Sequence, residues 1–142
     1  MELIEFKVMI NAVPNKVWSV LWSDISYRQW TSAFAEGSSY EGELEEGNII
    51  KFLDANNNGM YSKIVKKKAA EEMTFLHLGE IYDGVEVPQD WGEATESYFL
   101  KIKDDLTELT VTVNTSEEFK TFFEEHFPQA LQNIKHLSEN QL

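Results

Sequence analysis

Cysteine is absent from this chain of 142 residues, which removes disulfides, thiolate nucleophiles, zinc ribbons and iron–sulfur clusters together. Basic residues are scarce: 12 Lys and Arg stand against 25 Asp and Glu, for a formal net charge of −13. A surface of that sign repels phosphate backbones and anionic head groups, so neither nucleic acid nor a membrane surface is an expected partner. No apolar run approaches the roughly 20 residues of a membrane span. Residues 1–7 alternate apolar and charged side chains instead of placing an apolar run behind a basic segment, so no signal peptide is expected and a cytoplasmic location is. Gly-rich phosphate loops, a nucleophile elbow and the HExxH motif are also missing, and no cofactor is expected.

What the chain has is apolar and aromatic material. Aliphatic, aromatic and sulfur residues make up 42%, including 9 Phe, 5 Tyr and 4 Trp, which is ample for a core and argues against disorder. At this length a single domain over 1–142 buries about 68–70% of its unfolded surface.

Ile4, Phe6, Val8 and Ile10 fall on even positions with Glu5 and Lys7 between them, the period of a half-buried strand. Pro14 suits the first turn of a helix, and Val17, Trp18, Leu21 and Trp22 share one face of it. A second short helix through Tyr27 and Trp30, opened by Asp24 or Ser26, follows. Six further strands are expected at residues 38–41, 48–53, 60–67, 73–82, 95–103 and 106–114. Asn58-Gly59 and Asp104-Asp105 supply the tight turns, and 83–94 is a long irregular loop. Tyr98, Leu100 and Ile102 share one face of their strand. Thr115-Ser116-Glu117-Glu118 has the form of a capping box and opens a helix carrying Phe119, Phe122, Phe123, Phe127, Ala130, Leu131, Ile134 and Leu137 at helical spacing. Pro128 inside that run is expected to kink or break it near His126 and Phe127.

Few residues suggest chemistry. Asp54-Ala55-Asn56-Asn57-Asn58-Gly59 satisfies the first half of a calcium loop, but the twelfth position is Val65 and the flanks alternate like strands, so a polar hairpin turn is expected. His77, His126 and His136 are too scattered for one element to present two of them to a metal; a hydrogen-bonded, partly buried imidazole is the expected state of the first two. Glu96 shares strand parity with Tyr98 and could point inward, although an end-of-strand carboxylate near solvent is the commoner arrangement.

One strand, two short helices, six more antiparallel strands and a long C-terminal helix is the order of the helix-grip fold, an α+β arrangement in which a seven-stranded curved sheet grips the last helix. INAVPNKVW at residues 10–18 resembles the opening motif of the SRPBCC (START-like) superfamily. WGEATESY at 91–98, LTELTVTV at 106–113 and the helix expected over 123–137 look like a small bacterial branch of the homologues of the activator of heat-shock-protein-90 ATPase. That resemblance implies a cavity between sheet and helix, open near residues 83–94 and 30–36. It would be lined by Trp30, Phe34, Phe52, Phe75, His77, Trp91, Tyr98, Phe119 and Phe123, with a small apolar or amphipathic molecule as occupant. No nucleophile, base and orienting group assemble from the sequence, so a binding protein without catalysis is expected. The resemblance leaves two alternatives: a co-chaperone that binds a protein partner through its outer surface, and a polyketide cyclase-like enzyme. The eukaryotic activators carry an additional N-terminal domain with no counterpart in these residues, which ranks the chaperone partner below the small molecule.

Overall fold

In the computed structural model, which describes residues 1–140, eight strands form one antiparallel sheet and a 24-residue helix lies across its inner face. The chain opens with β1 (Glu2–Ile10), then α1 (Pro14–Trp22), α2 (Asp24–Trp30) and a turn of 3-10 helix (Thr31–Ala33). There follow β2 (Ser39–Glu41), β3 (Ile49–Leu53), β4 (Gly59–Lys68), β5 (Glu72–Tyr82), β6 (Val85–Pro88), β7 (Thr95–Lys103) and β8 (Leu106–Thr115), and the chain ends in α3 (Glu117–Asn140). Across the sheet the order is β1-β8-β7-β5-β4-β3-β2, with β6 paired to β5 beside that path. The two short helices fill the space between β1 and β2, the sheet's two ends.

The period-two pattern produces this sheet. Along β8 the buried positions are Thr107, Leu109, Val111, Val113 and Thr115, and along β5 they begin Met73, Phe75, His77. The hairpin between β7 and β8 turns on Asp104 and Asp105, both at positive φ (53° and 65°), as a two-residue turn of the primed type requires. Ile102 keeps the parity of Tyr98 and Leu100 but stands beside this turn, at the strand's end, and is exposed. The segment 83–94 is not wholly irregular: Val85–Pro88 forms β6, an eighth strand, on a turn in which Asp83 and Gly84 adopt positive φ.

The turn between β3 and β4 also differs in detail from expectation. Asn57, not Asn58-Gly59, takes the left-handed conformation, and Gly59 already belongs to β4. Asp54 Oδ1 accepts the backbone N–H groups of Asn56 (2.8 Å) and Asn58 (3.0 Å), so its carboxylate is spent on closing a hairpin.

Helix α3 buries Phe123, Phe127, Ala130, Leu131 and Ile134, and Phe127 stacks on Phe6 of β1 with ring centroids 4.9 Å apart. The expected break at Pro128 does not occur: the helix runs unbroken from Glu117 to Asn140. Buried side chains on both sides of the proline press both halves onto the sheet and offset the missing hydrogen bond. The capping box is also absent. Thr115 still belongs to β8, and the Ser116 hydroxyl is buried without a hydrogen-bond partner among the described residues. Glu117 and Glu118 remain in the first turn, where they complement the helix dipole.

The far end of α3 is clamped to β1. Glu139 Oε2 accepts the Asn11 N–H (2.8 Å) and the Lys135 ammonium (2.6 Å), and Lys135 also donates to the Met9 carbonyl (2.9 Å). The Asn11 N–H first, then Lys135, hold the Glu139 carboxyl below the usual range. Among the described residues no helix is long and apolar enough to cross a membrane.

Candidate ligand cavity

The inner faces of β5 and β7, the turn between β3 and β4, and helices α2 and α3 enclose a cavity of about 250 Å³. Its walls are aromatic because large rings from separate elements meet edge to face rather than interdigitating with aliphatic chains. Trp22 lies 5.0 Å from Tyr98 and 5.5 Å from Phe75, Tyr27 lies 5.3 Å from Trp30, and Phe52 lies 5.2 Å from Phe75. Such pairs gain about 0.5–1.5 kcal/mol beyond burial, and rigid rings of this size leave gaps that branched side chains would fill. Trp30 is fixed by its indole N–H, which donates to the Leu21 carbonyl (3.1 Å), and Tyr40 holds α1 to β2 by donating to the Trp22 carbonyl (2.5 Å).

A second lobe of about 260 Å³ lies toward the start of α3, lined by Trp91, Ala94, Phe119, the end of β8 and Met1. Gly59, Met60, His77, Phe122 and Phe123 belong to the walls of both lobes. All nine side chains expected at the cavity line one lobe or the other. Trp30, Phe34, Phe52, Phe75 and Tyr98 line the first, Trp91 and Phe119 the second, and His77 and Phe123 both. Sequence reasoning missed Trp22, Tyr27, Met60 and Phe122. Spacing assigns the first two to the packing of short helices, and Phe122 is 42% exposed on the flank of the face that points inward.

The polar contacts inside the cavity were also missed, although His77 and Tyr98 were expected in its walls and Glu96 had the parity to point inward. His77 Nδ1 lies 2.6 Å from the Ser62 hydroxyl, and His77 Nε2 lies 3.2 Å from Glu96 Oε1. Glu96 Oε2 accepts the Tyr98 hydroxyl. Glu96 therefore points into the cavity, with its side chain 16% exposed, and is not the solvent-facing carboxylate expected at a strand's end. The adjacent strands explain it: β5 and β7 place His77 and Tyr98 on the inner face, and each supplies a donor to the carboxylate. A β-bulge aligns the remaining member. The register of β4 against β5 slips between Tyr61 and Ser62, so that Ser62, not a neighbour, pairs with His77.

Ser62, His77 and Glu96 carry the residue types of a nucleophile, a base and an orienting acid. Ser62, however, is fully buried and lines neither lobe. In the tautomer that donates from Nε2 to Glu96, Nδ1 accepts the Ser62 O–H. The hydroxyls of Thr31 and Ser38, which do line the first lobe, donate to the carbonyls of Tyr27 (2.5 Å) and Ala35 (2.6 Å).

Burial first, then the charge of Glu96, pushes the Tyr27 and Tyr98 phenols well above their usual range. A raised folded-state value stabilises the fold at pH below about 10, the ordinary phenol value, and that contribution is lost as the pH rises beyond it. In a spectrophotometric titration at least two of the five tyrosines should therefore ionise only together with unfolding. Ionisation of all five ahead of the loss of structure contradicts the burial described.

No family model matches the chain, and no curated protein matches it. Solved structures do. The Aha1 dimer from Colwellia psychrerythraea superposes with a TM-score of 0.76 at 21% identity, over 99% of this chain and 98% of that one. The chain has the helix-grip fold. The same fold appears in CalU16 from Micromonospora echinospora, at a TM-score of 0.70 and 16% identity over 98% of this chain and 77% of that one. It appears again in DynU16, a protein of the dynemicin biosynthetic locus, at a TM-score of 0.74 and 10% identity. There 96% of this chain matches 47% of that chain, so this chain spans about half of DynU16. At such identities the fold is shared while the side chains lining its cavity are free to differ.

Proposed function

We propose that the protein binds a small apolar or amphipathic molecule in the two-lobed space between sheet and α3, and that it does so without catalysis. The observation that supports this reading is an aromatic-walled cavity whose lining includes a compact hydrogen-bonded polar group, Glu96 with His77 and Tyr98. That combination is how small-molecule sites are built: apolar surface for affinity and a few fixed polar atoms for orientation. A binding role is preferred to an enzymatic one because the serine that completes the polar chain is out of a ligand's reach, and the hydroxyls of Thr31 and Ser38 in the first lobe are tied to backbone carbonyls.

Native mass spectrometry of the gently extracted protein, with displacement of an environment-sensitive dye, tests the reading. A retained small molecule or a saturable, displaceable dye is expected; an empty protein that no dye enters refutes it. Tyr98→Phe should then change ligand affinity severalfold while costing about 1 kcal/mol of stability, since it removes one hydrogen bond and almost no volume. Unchanged affinity for every ligand found would remove Tyr98 from the site.

A further inference from the structure

The cavity has carboxylates and no basic residue to balance them. Glu96 and Asp54 line the first lobe and Glu80 the second, while no Lys or Arg lines either. His77 is the sole side chain in those walls able to gain a positive charge, and its Nε2 is already directed at Glu96. A fatty acid or other anion would bring its charge against these carboxylates with no lysine or arginine to pair it, at a large desolvation cost.

Resting on the reading of this space as a ligand site, we propose that its occupant is an amphipathic organic cation, an amine carried on an apolar or aromatic body, with its charge set against Glu96. Three observations converge on that chemistry. Glu96 uses one oxygen for His77 and the other for Tyr98, and a carboxylate has roughly four lone-pair sites, so it can accept further donors. The rings that line the first lobe with it, among them Trp22, Trp30, Phe75 and Tyr98, are of the kind that attracts a desolvated cation. The Tyr27 hydroxyl, on a residue 7% exposed in the same wall, makes no hydrogen bond among the described residues and can accept from an ammonium group. The net charge of −13 adds a field that concentrates cations near the mouth. Neutralising a buried carboxylate is the one interaction a neutral ligand of the same shape cannot supply.

The test is isothermal titration calorimetry at neutral pH with three probes that share one ring system: naphthylmethylamine, naphthylmethanol and naphthoic acid. The amine is expected to bind about tenfold or more tightly than the alcohol, as for a charge-assisted hydrogen bond in place of a neutral one, and the acid most weakly. Glu96→Gln, which keeps the shape and an acceptor for Tyr98, should abolish the preference for amine over alcohol. If that variant fails to fold, the wild-type series still decides. Equal binding of amine and alcohol, or tightest binding of the acid, overturns the cation and leaves the cavity reading standing. Failure of all three to bind overturns both.

Discussion

Phe127→Ala is expected to cost about 3–5 kcal/mol of stability, the range for truncating a fully buried phenylalanine. Phe127 has no exposed surface. Its ring stacks on Phe6 of β1, meets Phe34 edge to face at 4.9 Å and lies 5.9 Å from Phe123. It therefore joins α3, β1 and the segment after α2, immediately before Pro128, where the helix has lost one backbone hydrogen bond and depends most on packing. Urea denaturation should show a lower midpoint with an unchanged slope. Phe127 lines neither lobe, whereas Phe123, one turn earlier, lines both. Phe123→Ala should thus lose stability and alter dye affinity together, while Phe127→Ala acts on stability. A loss below about 1 kcal/mol for Phe127→Ala would mean that this site repacks freely, contrary to the range for buried phenylalanine.

The contrast between these two phenylalanines shows what the sequence could and could not convey. Helical spacing puts Phe123 and Phe127 on one face, and strand parity puts Phe75 and Tyr98 on another; both patterns are local, and both appear in the structure. Element order and the hairpin turns likewise depend on short-range signals, which is why the helix-grip arrangement was legible. The errors fall where distant residues decide. Pro128 reads as a break until the sheet supplies packing on both sides of it. Thr115 reads as a cap until β1 claims it as the last residue of β8, paired with Glu2. β6 is invisible because a four-residue strand carries too little pattern to stand out from a loop, and its partner is β5.

The polar group in the cavity was hidden for a related reason. Glu96 has the right parity, but parity alone does not reveal that two donors await it, His77 from the neighbouring β5 and Tyr98 two residues along its own strand. Ser62 and His77 are 15 residues apart, and their pairing depends on a one-residue register slip that flips which face each strand position looks toward. On one side of the slip His77 faces the cavity, and on the other Met60 and Glu80 do. A regular ladder would have sent one of these sets to the opposite face. The chemistry of this cavity is therefore set by a bulge, and a bulge has no dependable signature in a single sequence.

Gly59→Ala is expected to destabilise the protein by about 3 kcal/mol, the upper end of the usual cost of overpacking, and to change ligand binding as well. Gly59 opens β4 opposite Leu53, and its backbone conformation is one that any residue can adopt; what it lacks is room. A Cβ there would stand 1.8 Å from the Phe52 carbonyl oxygen and 2.9 Å from its carbon, both backbone atoms. No rotamer relieves that contact, so the hairpin must open by more than an ångström, which loosens the pairing of Leu53 with Gly59 and the turn that Asp54 holds shut. The displaced segment carries Met60, and both Gly59 and Met60 line the two lobes. The stability loss and the change in dye affinity should hence appear together in the folded variant. Gly47→Ala is the comparison: its Cβ would meet nothing within 4 Å, and its cost is limited to backbone strain at φ +94°, about 1 kcal/mol, with dye binding unaltered. Equal losses at the two glycines would show that close approach at Gly59 is not what holds the β3–β4 hairpin in place.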